Sequence, residues 1–354
     1  MGTITHLHQR LRPPPNRIGA EEEVSAVVAD LARRFSAAPS DRAYHTIVAQ
    51  SGLLAISIPA DFGGLDVSNV VLGEAIAVLA ATWPQSATAL VGHFEALEAI
   101  RNAGSEEQRR AIYAHVAAGE RLAVLISEFT ERGDGIRLST EGIGYCLDGE
   151  LVAKVILDSD WLLLTLADEH GNPRFVLVSC EDPGLSVVAA AESRQTFRFQ
   201  RLHVAADTIL IHGEDAMLMS RAVGNLMEGA VTLGRLREDF FSAVRQSSQR
   251  RQHASENDIR QLQAEIGRLH VEAEQLAALV NRCGTEIDIA QVTPGAHAIQ
   301  RAAQSAEVVA IAAARVRDHD ASGSVDEVRL AELGAALANA AESHPRPLES
   351  ETPQ

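Results

Sequence analysis

The stretch that decides the fold runs from residue 51 to residue 128 and consists of three phrases. It opens with SGLLAISIPADFGG (residues 51–64), continues with VGHFEALEAIRNAGSEEQRR (91–110) and closes with AAGERLAVLISE (117–128). In the first phrase a short apolar run stops at Pro59, and Gly63-Gly64 supplies a chain reversal that needs backbone freedom. The first phrase therefore predicts a helix end followed by a turn. We interpret residues 51–128 as part of a helical domain that is followed directly by the first strand of a sheet.

The second phrase has the spacing of a helix with one buried face. Its apolar residues recur at three- and four-residue steps and are Phe94, Leu97, Ile100 and Ala103. Gly104 ends this helix, and Ser105 with Gln108 forms a capping box for the next one. The spacing thus predicts two consecutive helices over 86–102 and 106–118.

Helical patterns also occupy the rest of the N-terminal third and most of the C-terminal part. Before and within residues 51–128, helices are expected from Glu21, over 44–54, and between a Ser68 cap and Pro84. After Asp215 two apolar stripes, over 222–236 and 259–280, predict long helices, followed by helices at 296–316 and 329–341. The second stripe is heptad-like, which favours helix pairing or oligomer contact.

Between these helical parts, short apolar runs alternate with polar turn clusters, which is typical of strands. The strands are expected at 122–127, 145–147, 161–166, 175–179, 185–188, 196–203 and 208–211. The residues at 168–172, DEHGN, suit a hairpin turn. The predicted fold class is therefore α+β, mainly α, with a flexible lead (1–20), an N-terminal helical domain (21–118), a central small antiparallel β-domain (119–212), a C-terminal helical bundle (213–341) and a disordered tail (342–354).

Composition excludes several classes of protein. The 354 residues carry a net charge of −17, which argues against nucleic-acid binding through bulk charge. No apolar run of about 18 or more residues is present, so no membrane span is expected. Three separated cysteines lack metal-ligand spacing and suggest no disulfide framework, which favours the reducing cytoplasm. His6 and His8 lie close together without Cys or acidic companions, so no metal site is predicted.

The phrases of the organising stretch, taken in order, resemble the acyl-CoA dehydrogenase superfamily, and within it the flavin-dependent monooxygenase branch that includes dibenzothiophene monooxygenase. The residues that carry this resemblance are Gly52-Leu53-Leu54, Pro59, Gly63-Gly64, His93-Phe94, Leu97-Glu98-Ala99, Gly104 to Gln108, Gly119-Glu120-Arg121 and Ser127-Glu128. It extends over roughly residues 20 to 317 and is dense up to Glu128. The resemblance implies the three-part fold, with a flavin, FMN or FAD, between the sheet and the C-terminal bundle.

The resemblance also implies a set of site residues. His93 matches the histidine that the branch links to oxygen activation or substrate deprotonation; the alternative is a histidine packed inside a helix. Ser127 falls in the strand that would line the flavin, and Phe129 and Thr130 fall in the next loop, for which the alternative is a polar surface turn. The remaining cofactor-binding candidates lie near the next flavin-contacting phrase, where Trp161 has packing alone as its alternative; they are Val155, Ile156 and Trp161.

Departures from the branch pattern concentrate at the flavin-facing positions. Val124 stands near an expected asparagine, Val155 and Ile156 stand near expected hydroxyl side chains, and the Trp, Arg and His phrase expected to close the site has no match after Val316.

Two hypotheses for the function follow from these departures. One is a diverged flavin-dependent oxidoreductase, of monooxygenase or acyl-CoA dehydrogenase type, with a small-molecule substrate and, for a monooxygenase, a separate flavin reductase. The other is a non-catalytic partner subunit of an active homologue. The resemblance further implies a homo-oligomer, dimer or tetramer, built through the C-terminal helices, or a hetero-oligomer with that homologue.

Overall fold

A computed structural model describes the fold over residues 14–36, 41–126, 135–154, 159–167, 173–191, 194–210, 213–250 and 255–317, together with 330–332, 334–335 and 338. Among the described residues, the α-helices before the sheets are α1 (Glu21–Ser36), α2 (Asp41–Ser51), α3 (Asn69–Thr82), α4 (Pro84–Ala103) and α5 (Glu106–Ala117). Those after the sheets are α6 (Glu214–Arg250), α7 (Glu256–Val292) and α8 (Ala296–Arg317), and the described residues between 330 and 338 are also helical. The α+β class with helical N- and C-terminal parts is confirmed; the domain boundaries remain predictions.

The helix caps and ends predicted from the sequence are found in the structure. The Ser68 hydroxyl accepts a hydrogen bond from the Val71 N–H at 3.3 Å, and Ser105 with Gln108 forms the complete capping box of α5. Pro84 follows directly after the C-cap residue of α3, as expected, and it also begins α4. It occupies the first turn of α4, where a missing N–H costs nothing because that donor has no partner within the helix.

The central part consists of two four-stranded sheets. The strands are β1 (Leu122–Ile126), β2 (Arg137–Glu141), β3 (Gly144–Lys154), β4 (Trp161–Ala167), β5 (Pro173–Ser179), β6 (Leu185–Ala191), β7 (Arg194–Val204) and β8 (Ile209–Leu210). One sheet has the order β1-β4-β5-β8 and the other β2-β3-β7-β6. The expected antiparallel pairing holds throughout the described ladders except between β1 and β4, which run parallel. The hairpin turn expected at 168–172 lies outside the described residues, but the strands that flank it, β4 and β5, are antiparallel neighbours.

The first sheet has two buried faces because its side chains alternate along each strand. On one face, residues pack with the helices and include Leu122, Leu163, Phe175 and Leu177. On the other, residues pack against the second sheet and include Ala123, Leu125, Leu162, Leu164 and Val176. The sheet therefore joins a large helical core to a smaller core between the sheets.

Helix α6 lies at the centre of the helical part and packs against α3, α4, α7 and α8. The stripe expected on it is buried: Ala222, Val223, Leu226, Met227, Ala230, Leu233 and Leu236. At Gly234 an added Cβ would collide with the Ala77 carbonyl oxygen of α3, so the two helices approach closely only because Gly234 has no side chain. No helix in the described part of the chain is long and apolar enough to cross a membrane.

A buried polar network holds α3, α4 and α7 together. Glu98 is 4% exposed, and its carboxylate accepts a hydrogen bond from Gln291 at 2.8 Å. Gln291 in turn accepts from the Asn69 amide at 2.9 Å, and Asn69 donates to Asp288 through both its backbone and its side chain. Burial raises the pKa of Glu98, and Arg101, 3.3 Å from its carboxylate, acts in the opposite direction. The network fixes the N-terminal helices on the C-terminal bundle.

Candidate functional site

Helix α4 meets strand β1 at the phrase Gly92-His93-Phe94. A Cβ on Gly92 would lie 3.1 Å from the Val124 nitrogen, so glycine lets the helix approach the strand backbone closely. His93 is 0% exposed, and both of its ring nitrogens have backbone partners. Nε2 lies 2.9 Å from the Leu54 carbonyl oxygen, and Nδ1 lies 3.1 Å from the Leu122 N–H. These contacts tie α4, the turn after α2 and β1 to one imidazole.

The two partners fix the state of the His93 ring. The Leu54 carbonyl only accepts, so Nε2 carries the proton, and the Leu122 N–H only donates, so Nδ1 is the acceptor. Burial lowers the pKa of His93 from 6.5 to about 4, so the ring is neutral at physiological pH. Both ring nitrogens of His93 are thus engaged in hydrogen bonds to backbone groups, which favours the alternative of a histidine packed inside a helix. The catalytic assignment stays a prediction that these contacts argue against.

Two residues further along α4, Glu95 faces α6. A Cβ on Gly224 would lie 2.8 Å from the Glu95 carboxyl carbon, so this carboxyl packs directly against the backbone of α6. The Ser220 hydroxyl donates to the Glu95 carbonyl oxygen at 3.1 Å. Burial, with a further contribution from Glu228, raises the pKa of Glu95 from 4.5 to about 7, while Arg221 acts in the opposite direction. With a pKa near 7, the Glu95 carboxyl changes protonation around neutral pH.

Most of the predicted cofactor-binding residues lie outside the described residues, namely Ser127, Phe129, Thr130, Val155 and Ile156. Strand β1 is described up to Ile126 and β3 up to Lys154, so both chain segments are described to the point where those residues begin. Val124 is described, and it is partly buried against the helical core. Its aliphatic side chain offers no hydrogen bond to a flavin, and the flavin contacts of the other candidates stay predictions.

Trp161 is the predicted cofactor-binding residue that the structure does describe, and it lies at the start of β4. Its indole N–H donates to Glu120 at 2.6 Å, and Glu120 also lies 3.1 Å from Nδ1 of His115. The indole and imidazole rings form a tilted pair with centroids 5.6 Å apart. Trp161 therefore packs against the helical core from the side of α5, and the structure does not bring it together with His93 in a shared contact.

Glu95 and Glu120 were not predicted as functional residues from the sequence. Glu95 lies two positions after His93, and a carboxylate on the buried side of a helix was the available signal. Glu120 belongs to the phrase Gly119-Glu120-Arg121, which was used for family resemblance and not for chemistry. Its contact with His115 depends on the reversal of the chain after α5, so the spacing of the two residues in the sequence does not predict it. No group of three or more His, Cys, Asp or Glu side chains in the described part of the chain could hold a metal ion.

Comparison with known proteins supports the same architecture. Residues 17–120 match the family model "Acyl-CoA dehydrogenase, N-terminal domain". No curated protein matches the sequence. Among solved structures, methanesulfinate monooxygenase MsuC from Pseudomonas fluorescens has 17% identity, a TM-score of 0.71 and coverage of 94% of both chains. Nitrososynthase from Micromonospora carbonacea var. africana has 20% identity and a TM-score of 0.70, over 94% of this chain and 90% of that one.

A third structure shows a ligand-bound relative. TdsC from Paenibacillus sp. A11-2, solved with FMN and indole, has 18% identity and a TM-score of 0.72, over 90% of this chain and 88% of that one. This chain shares the fold of these structures, and its N-terminal part matches the acyl-CoA dehydrogenase N-terminal domain family. The resemblance recognised from the sequence is thereby confirmed.

Proposed function

We propose that this chain is a flavin-dependent oxidoreductase of monooxygenase type that acts on a small molecule. The observation that carries the proposal is the retention of all three parts of the fold, matched over 94% of this chain and of methanesulfinate monooxygenase. FMN is favoured over FAD because TdsC was solved with FMN. Bound in reduced form, the flavin would supply the electrons for oxygen activation, and a separate reductase would supply the reduced flavin.

Within this proposal we assign to Glu95, whose carboxyl packs against the backbone of α6 at Gly224, the proton-handling role that the family resemblance implies for His93. A carboxyl with a pKa of about 7 exists in both protonation states near neutral pH and suits a general acid or base. His93 has no ring nitrogen to spare and acts as a positioning residue at the junction of α4 and β1. Glu95 and His93 are thus assigned different tasks on the same helix.

A non-catalytic partner subunit is the second candidate. It is favoured by Val124, whose side chain cannot bond a flavin, and by the engagement of both His93 nitrogens with the backbone. Such a subunit would keep the fold, which packing maintains, and lose cofactor binding. It would also be isolated with an active homologous chain.

Flavin retention separates the two candidates. The purified protein is incubated with FMN or FAD, freed of unbound cofactor, and examined by visible absorption and thermal unfolding. The oxidoreductase proposal expects a retained flavin band and a stabilisation that grows with flavin concentration, about 2.7 kcal/mol at a hundred times Kd. Absence of both effects at high FMN refutes the proposal and leaves the partner subunit, which is then tested by co-purification with its homologue.

A second measurement tests Glu95 itself. The rate at which O2 reoxidises protein-bound reduced FMN is followed from pH 5.5 to 8.5 in wild type, Glu95→Gln and Glu274→Gln. Glu274 is exposed on α7, so its variant controls for the loss of one carboxylate. Wild type and Glu274→Gln should show an inflection near the Glu95 pKa of about 7, and Glu95→Gln should lack it. An inflection that survives in Glu95→Gln removes Glu95 from the mechanism and leaves flavin binding untouched.

A further inference from the structure

A cavity of about 650 Å³ lies between α5 and the sheets. Helix α5 forms one wall, and the other walls come from the ends of β1 and β4, from β5, and from the turn at 206–208. Its apolar lining includes Ala111, Ile112, Val116, Leu122, Leu177 and Ile209. The volume lies within the range of about 300 to 1,000 Å³ that holds small molecules, and an apolar lining with few polar groups is typical of such sites.

The wall of the cavity is held in place before any ligand enters. The Gln108 amide donates to the carbonyl oxygens of Asp207 and Ile209 at 2.7 and 3.1 Å. Its oxygen accepts from the Ser105 N–H at 2.9 Å. The side chain therefore fastens the first turn of α5 to the turn before β8. A cavity held open in this way loses little conformational entropy on binding.

One end of the cavity carries an oriented acceptor. The Glu120 carboxylate only accepts, so in the neutral His115 ring the proton sits on Nδ1, 3.1 Å from Glu120. The same carboxylate oxygen receives the Trp161 N–H, which fixes both rings beside each other. His115 and Trp161 both line the cavity. Nε2 of His115 has no partner among the described residues and keeps its lone pair for a donor.

Charge restricts the ligand further. The described lining includes the exposed acidic side chains Glu107 and Asp207 and no lysine or arginine. With a chain net charge of −17, a phosphate or carboxylate would meet repulsion here without a compensating cation. A CoA or flavin phosphate does not suit these walls.

We propose that this cavity binds a small, flat, largely apolar molecule that carries one N–H or O–H donor and no negative charge. Its ring lies against Trp161 and the apolar wall of α5, and its donor bonds Nε2 of His115. The site is additional to the flavin site of the proposed function. It does not require that function to be correct, because none of its named contacts involves a cofactor.

The test uses Trp161 as the reporter. The chain contains two tryptophans, so Trp83→Phe leaves Trp161 as the only source of tryptophan fluorescence. The full chain, with and without this change, is titrated at pH 8 with 4-ethylphenol, its methyl ether 4-ethylanisole, and the anion 4-ethylbenzoate. The phenol should bind saturably and about five- to tenfold more tightly than the ether, the worth of one hydrogen bond, and the benzoate should not bind.

Two matched pairs of variants locate the site. His115→Asn keeps a donor for Glu120 but deletes Nε2, and should reduce phenol affinity to that of the ether; His297→Asn, at an exposed position of α8, should leave it unchanged. Ala111→Phe fills the cavity and should abolish binding, whereas Ala114→Phe on the exposed side of α5 should not. Circular dichroism checks that each variant folds. Equal affinity for phenol and ether, undiminished binding in Ala111→Phe, or no saturable signal in wild type would each overturn the proposal.

Discussion

Replacement of His93 by glutamine should make the protein less sensitive to acid. The wild-type ring is fully buried, donates to Leu54 and accepts from Leu122, and only its neutral form satisfies both contacts. Burial therefore lowers the pKa from 6.5 to about 4. Glutamine offers an amide donor and acceptor but does not titrate between pH 4 and 8.

The sign and size of the effect follow from proton linkage. Between pH 6.5 and about 4 the unfolded chain binds the His93 proton and the folded chain does not, so stability falls as the pH falls through this window. At pH 5 the two pKa values correspond to about 2 kcal/mol, and below pH 4 to about 3.4 kcal/mol. Above pH 6.5 both states hold a neutral ring and the contribution disappears. Glu95 acts with the opposite sign over a similar range, but it is present in both proteins and cancels from their difference.

The assay is urea unfolding of wild type, His93→Gln and His297→Gln at pH 8 and pH 5, followed by circular dichroism. Glutamine can lower stability at both pH values, so the informative quantity is the change between them. Wild type and the exposed control His297→Gln should lose about 2 kcal/mol more than His93→Gln on going to pH 5. Equal losses in all three proteins would refute the idea that His93 is held neutral by its surroundings.

Three further changes test neighbouring parts of the structure. Glu95→Gln should raise stability at pH 8 by about 1 to 3 kcal/mol, because the pKa of Glu95, raised to about 7, makes folding less favourable as the pH rises from 4.5 through 7. The measurement is the calorimetric Tm of wild type and of Glu95→Gln at pH 5 and pH 8, and an equal shift of Tm in the two proteins would contradict this. Gly234→Ala should lower the free energy of unfolding in urea by about 3 kcal/mol or more, because the new Cβ collides with α3. The control Gly295→Ala, where no heavy atom of a neighbour lies within 4 Å, should cost less than about 1 kcal/mol. Similar values for the two variants would contradict close packing of α6 on α3. Trp161→Phe should cost about 1 to 3 kcal/mol in the same measurement because Glu120 loses a donor, and a neutral result would show that this hydrogen bond adds nothing.

Local signals predicted the helices well because their causes are local. Ser68 and Ser105 cap the helices that follow them, and the buried stripe of α6 was visible as a repeat of apolar residues. Pro84 shows where this reasoning is ambiguous. A proline disrupts a helix interior but suits the first turn, so the same residue is compatible with ending one helix and with beginning the next.

Long-range features could not be predicted in the same way. Strand β2 (Arg137–Glu141) is polar at most of its positions, and only Leu138 among them is fully buried, so it lacked the apolar run by which the other strands were found. The parallel pairing of β1 with β4 depends on the chain between them forming β2 and β3 in the other sheet. Such pairing is set by tertiary packing, and sequence periodicity gives only the strands.

The phrase around His93 shows why resemblance is stronger evidence for fold than for chemistry. Gly92 allows α4 to approach β1, His93 joins Leu54 to Leu122, and Phe94 is 1% exposed in the helical core. Packing alone explains all three residues, so a chain that had lost flavin chemistry would still need them. Loss of activity in His93→Ala is then expected from misfolding as well as from lost proton transfer. The discriminating result is the pH dependence of a folded His93→Gln enzyme: an unchanged pH profile with reduced stability identifies a positioning residue, and loss of an inflection would restore His93 as the acid or base.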